Sequence, residues 1–147
     1  MNANAGVQPE RVVVAVILTW RGRIALFRRS REVQHDGGRW HCLTGFVEAD
    51  VKPAEQALDE LIEETGLQPE DIDSLIPGHV LTIDDAQGQP WLVHTFAAET
   101  RVRRLNLNWE HDCYRWTQVS KLRRFTNRVP WLDLILEATS GRRGPND

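Results

Sequence analysis

The stretch GFVEADVKPAEQALDELIEETGL, Gly45–Leu67, decides how this chain is read. Pro53 suits a first helical turn and Gly66 a C-cap, so the spacing predicts a helix over residues 53–65. On that helix Glu60, Glu63 and Glu64 stand at i, i+3 and i+4 and share one face. Ala54, Ala57, Leu58 and Leu61 recur at helical spacing on the opposite face, which is the expected core face. Like charges this close cost roughly 0.2–0.5 kcal/mol per pair. They also occupy the last turn, where the helix dipole disfavours anions. Local physics opposes the arrangement unless a cation compensates, and a hard divalent ion such as Mg²⁺ takes carboxylate oxygens.

Working outward, the chain alternates strands and helices. RVVVAVILT, from Arg11, is a strand whose unbroken apolar run predicts burial on both faces. It turns at Trp20–Arg23 into the second strand, RIALFRR. Residues 30–39 are polar and carry Asp36-Gly37-Gly38, a loop, and Trp40–Leu43 is a short strand feeding Gly45. Leu75–Ile83 and Trp91–Ala98 form a hairpin, residues 101–109 a loop, and His111–Thr117 another strand. Residues 119–125 read as one or two helical turns. Pro130 opens a last helix with Trp131, Leu134, Ile135 and Ala138 at core spacing. The organisation expected is a flexible arm over residues 1–10, one domain over 11–139 and a disordered tail over 140–147, of α/β or α+β class.

Composition narrows the function classes. The 147 residues suffice for one core, and 41% hydrophobic with 27% charged residues is an ordinary globular balance. A net charge of −3 argues against a general binder of nucleic acid polymers. Only Lys52 and Lys121 are lysine; the other basic residues are arginines, which suit phosphates. Cys42 and Cys113 lack CxxC spacing, so both are expected as reduced buried thiols. The apolar run Val12–Leu18 is too short to span a bilayer, and the N-terminus lacks a signal-peptide pattern; the expectation is a cytoplasmic protein with no membrane partner.

The acidic helix resembles the Nudix box: Gly, five residues, Glu, seven residues, Arg-Glu, an aliphatic, any residue, Glu-Glu, any residue, Gly, an aliphatic. Gly45, Glu60, Leu61, Glu63, Glu64, Gly66 and Leu67 match in register, seven of nine fixed positions over 23 residues. The resemblance implies an α/β/α sandwich around a mixed β-sheet. It implies hydrolysis of a diphosphate linkage, typically in a nucleoside diphosphate derivative or a related (d)NTP-like substrate, with Mg²⁺ or Mn²⁺ as cofactor. Gly45, Glu60, Glu63 and Glu64 are then the expected metal ligands. Glu63, Glu64 and Glu110 are the expected catalytic residues. A homodimer is common in such folds and is expected here by analogy.

Two positions depart from the signature. Val51 stands where the family has its first Glu, and Asp59 where it has the Arg. Those two commonly support the metal carboxylates, and Glu48 and Asp50 are nearby acids that offer compensation. The departures motivate an alternative, a catalytically weakened domain that binds a nucleotide-like ligand for sensing or partner recognition. Downstream, Glu110-His111 resembles the Glu-His element found after the box in several Nudix enzymes. A loop carboxylate there is placed to take a proton from attacking water. His111 and His94 read as structural, core or pocket-wall residues. Arg28, Arg39 and Trp40, near the expected mouth, are the expected substrate-binding residues. Substrate specificity is expected in residues 30–39, 84–90 and 100–109.

Overall fold

The structure, a computed structural model, describes residues 11–140. The arm expected over 1–10, and the tail from residue 141, lie outside the described residues. Ser140, which the sequence suggests belongs to the tail, instead closes the last helix.

Strand β1 (Arg11–Trp20) is the organiser. Val14, Val16 and Leu18 enter one hydrophobic cluster, and Val13, Ala15 and Ile17 enter another. Alternate side chains thus feed two cores on opposite faces of one sheet, which is why the run shows no polar alternation. β1 pairs in parallel with β6 (Pro90–Thr100) and antiparallel with β2 (Arg23–Arg29) and β4 (Leu43–Phe46). β5 (Ile72–Asp84) lies outside β6, while β3 (Trp40–His41) and β7 (His111–Thr117) pair with β2. The seven strands make one mixed sheet with the path β3-β2-β1-β6-β5.

Helix α1 (Pro53–Thr65) covers one face and α2 (Trp131–Ser140) the other. α1 ends at Gly66, whose φ of 75° is the left-handed conformation glycine adopts without strain, and its N–H donates to Ile62 O at 3.0 Å. The stretch over 119–125 forms a 3-10 turn at Val119–Arg124, and another such turn, Pro69–Asp71, leads into β5. No helix among the described residues is long and apolar enough to cross a membrane.

Two readings of the helix faces change. On α1, Ala57 and Leu61 are buried, but Ala54 is exposed and Glu64 is buried with them. Residues 57, 61 and 64 are spaced i, i+4, i+7, which is one core stripe, so Glu64 faces inward rather than to solvent. On α2 the core residues are Leu132, Ile135 and Ala138, while Leu134 is 45% exposed.

Candidate active site

Gly45, in β4, pairs with Val14 at the centre of the sheet and lies under α1. The Glu60 carboxyl occupies the space beside it: a methyl group on Gly45 would sit 2.2 Å from Glu60 Cδ. Only glycine leaves that room. Glu60 is held there by Gln56, whose Nε2 donates to Glu60 Oε2 at 2.9 Å. Gln56 is itself buried and fixed, because its Oε1 accepts the Glu48 N–H at 3.1 Å. Support for the first acid therefore comes from an amide one helical turn away. Among the described residues, Val51, Asp59 and the side chains of Glu48 and Asp50 form no hydrogen bond to it. Gln56 sits among the seven unconstrained residues of the motif, so no motif position marks it.

Glu64 is 1% exposed, and its Oε2 has no hydrogen-bond partner. Burial raises its pKa well above the usual carboxylate value, followed by the neighbouring Glu60 carboxyl and the charge of Glu110; Arg29 opposes them. His111 Nδ1 lies 3.7 Å from Glu64 Oε1. That separation is too long for a hydrogen bond. Burial, then Arg29, lowers the His111 pKa to about 4, so its ring is neutral at pH 7 and the contact is no ion pair. His111 points inward because the β2–β7 register slips: Arg28 pairs with Cys113 and Arg29 with His111, leaving Asp112 as an extra residue. The imidazole then packs on Phe27, centroids 5.2 Å apart.

Glu63 is exposed, and its pKa is raised first by desolvation, then by Glu60, Glu110, Asp59 and Glu48. Glu110 is half-buried and braced by Asn108, whose Nδ2 donates to Glu110 Oε1 at 3.2 Å and whose Oδ1 accepts the Glu110 N–H at 3.0 Å. Glu60, Glu63, Glu64 and Glu110 thus form one electrostatically coupled group with Gly45 at its base. They do not yet form a cage. Among the described residues no three His, Cys, Asp or Glu side chains stand in an arrangement that would hold a metal ion. Glu60 accepts its hydrogen bond from Gln56, and Glu63 is exposed.

The three residues expected to bind substrate are placed otherwise engaged. Arg28 is exposed and pairs with Asp112 at 3.7 Å, and Arg39 pairs with Asp36 at 3.3 Å. Trp40 packs edge-on against Phe125, centroids 5.1 Å apart, on the α2 side. The arginine that acts on Glu64 is Arg29. Strand parity carries that signal: Ala25 and Phe27 join the α1-side cluster, so Arg29, two residues on, continues the same face, while Leu26 and Arg28 follow the other.

The sequence profile of the NUDIX domain matches residues 8–138. The chain belongs to this family, that of the Nudix hydrolases. Among solved structures it resembles a MutT protein from Methanosarcina mazei Go1, with a TM-score of 0.73 at 20% identity, covering 93% of this chain and 98% of that one. It also resembles a bifunctional NMN adenylyltransferase/ADP ribose pyrophosphatase from Francisella tularensis, with a TM-score of 0.75 at 17% identity over 92% of this chain and 42% of that one. At those identities the likeness is one of fold. A curated relative, the octanoyltransferase of Myxococcus xanthus, is 36% identical over 117 residues, 76% of this chain. The chain spans 31% of that protein's length.

The Nudix domain buries two further titratable groups, His41 in β3 and Cys42 just after it. Burial, then Arg29 and His111, lowers the His41 pKa to about 3, and burial raises the Cys42 thiol to about 12. Cys42 is buried as expected, whereas Cys113 is only half-buried; both are free thiols. For His41 and His111 the folded pKa lies below the ordinary value of 6.5. Their stabilising contribution is therefore complete above pH 6.5 and is lost as pH falls toward about 4 for His111 and about 3 for His41. Urea unfolding of wild type and His41→Leu at pH 7 and 4.5 should show a shallower acid loss in the variant, by roughly 2–3 kcal/mol. Equal slopes would mean that His41 titrates normally in the fold.

Proposed function

We propose that this Nudix hydrolase cleaves the diphosphate linkage of a nucleoside diphosphate derivative, using a divalent cation held by Glu60, Glu63 and Glu64. The observation that carries the reading is Glu64: a buried carboxyl with an unpartnered oxygen, beside an acid for which glycine leaves room. Hard oxygen donors of this kind fit Mg²⁺ or Mn²⁺. Gly45 contributes the open space at the base of the donor set. When bound, the cation supplies charge neutralisation of the phosphate oxygens and lowers the pKa of a coordinated water.

The protein's own residues do the rest. Gln56 keeps Glu60 pointed at Gly45. The burial of Glu64 makes its ionised form dependent on a positive charge, so cation binding and proton release are linked there. Asn108 holds Glu110 by two hydrogen bonds, poised to accept a proton from water as it adds to phosphorus and the bond to the bridging oxygen breaks. The departing phosphate keeps the bridging oxygen.

The substrate class rests on the family and on relatives of the same fold. The Francisella protein is named for ADP ribose pyrophosphatase activity and has also been solved with AMP and a manganese ion. The supporting contact from Gln56 to Glu60 weakens the case for a domain that merely binds, since the loss of the box Glu and Arg does not leave Glu60 unsupported. Product release should be measured on a panel holding ADP-ribose, dinucleotides and dNTPs, with Mg²⁺, Mn²⁺ or EDTA. Turnover of a nucleoside diphosphate derivative that stops with EDTA is expected. Absence of turnover across the panel, or turnover indifferent to EDTA, overturns the reading.

A further inference from the structure

An open cleft of about 1490 Å³, lined by none of the box acids, runs between the β1–β2 turn, the loop of residues 103–107 and β7. Five arginines line it: Arg21 and Arg23 at the turn, Arg103 and Arg104 on the loop, and Arg115 on β7. None of the five is among the ion pairs of the described residues, which use Arg11, Arg28, Arg39, Arg101 and Arg128. The one acid on the rim, Asp112, lies 3.7 Å from Arg28. In a chain of net charge −3, unbalanced positive charge is thus concentrated in one concave place.

The cleft is built rather than merely exposed. The Trp116 indole N–H donates to Arg103 O at 3.0 Å, and the Leu105 N–H donates to the Tyr114 hydroxyl at 3.0 Å. The Asn106 N–H donates to Thr65 O at 2.8 Å, which anchors the same loop to the end of α1. The guanidinium groups of Arg21 and Arg103 lie 5.3 and 5.6 Å from the Trp20 ring centroid, and Trp116 lies 5.6 Å from it. Stacking fixes the plane of a guanidinium and leaves its edge N–H donors free for oxygen anions.

We propose that this cleft is a second ligand site, separate from the hydrolytic acids, that takes an oligophosphate chain through Arg23, Arg103, Arg104 and Arg115. Its volume exceeds the roughly 300–1,000 Å³ of an ordinary small-molecule pocket, which suits an extended chain better than a single phosphate. Trp20 is already covered by two guanidiniums and a second indole, so it offers no platform for a base. That disfavours single-stranded nucleic acid, which such grooves hold by stacking bases on open rings.

The test is calorimetric titration of the protein with tripolyphosphate in EDTA, where cation bridging at the box acids is absent. One-to-one binding is expected, weakening at least tenfold in Arg23→Ala/Arg115→Ala and staying unchanged in Arg123→Ala/Arg124→Ala, a control for net charge. The cleft variant should keep the wild-type melting temperature and hydrolysis rate. No binding, or equal binding by the cleft variant, overturns the proposal. Tighter binding of a single-stranded oligonucleotide at equal phosphate concentration also overturns it, because the cleft would then be a site for phosphodiesters.

Discussion

Glu64→Gln loses hydrolysis by on the order of 10³-fold or more in kcat/KM, about 4 kcal/mol of transition-state stabilisation, while its stability advantage over wild type grows as pH rises. The two effects have one cause. Glu64 is buried with an unpartnered oxygen, and its folded pKa stands well above the ordinary value. A raised folded pKa contributes stability that is complete below the unfolded value of 4.5 and is lost as pH climbs through the folded value. Glutamine keeps the shape of the protonated acid and never ionises, so the variant escapes that loss. It also never becomes an anion, so it is a poor ligand for a hard cation. Steady-state kinetics with Mg²⁺, and urea unfolding at pH 6 and 9 in EDTA, read the two arms separately. Retained hydrolysis removes Glu64 from the reaction; a stability difference that does not change with pH removes the link between its burial and its protonation. The expectation is an ordinary trade of stability for function at a polar group held in a dry place.

Gly45→Ala drops hydrolysis on the order of 10²-fold with little change in folding, a loss of about 3 kcal/mol confined to the reaction. The new methyl group would meet Glu60 Cδ at 2.2 Å and Oε2 at 2.4 Å, closer than real contacts allow. What it meets is the far end of a side chain, not backbone, so the conflict resolves by Glu60 swinging away. Gly45 has no positive φ, and alanine adds no backbone strain. The displaced Glu60 breaks its bond from Gln56 and leaves the acid group. The melting temperature should therefore stay within a few degrees of wild type while the concentration of Mg²⁺ needed for half-maximal rate rises. Wild-type rate and wild-type Mg²⁺ dependence in Gly45→Ala would show that the position of Glu60 is irrelevant to the reaction.

The placement of elements was legible because local rules agree along most of the chain. Pro53 and Gly66 bracket α1, which spans Pro53–Thr65 as expected. The continuous apolar run of β1 announced a strand buried on both faces. The box register announced the family, which the match over residues 8–138 shows. Less legible was which way a side chain turns. Leu134 has the right period for a core position, yet it is 45% exposed and Leu132 is buried in its place. Glu64 has the chemistry of a surface residue, yet it continues the Ala57–Leu61 stripe. Arg28 and Arg29 are neighbours in sequence, but strand parity and a bulge on β7 send only Arg29 toward the acids.

The sequence alone determined the family, the span of the acidic helix and the concentration of carboxylates on it, since each depends on residue type and on spacing along one segment. Tertiary structure decided which carboxyl is dry and what supports the others. Gln56 reaches Glu60, Gly45 makes room for it, His111 lies 3.7 Å from Glu64, and the charge of Arg29 acts on that acid. Tertiary structure also gathered Arg23, Arg103, Arg104 and Arg115 from a turn, a loop and a strand into one cleft. Those contacts join residues tens of positions apart, through strand pairing and loop anchoring that no local spacing records.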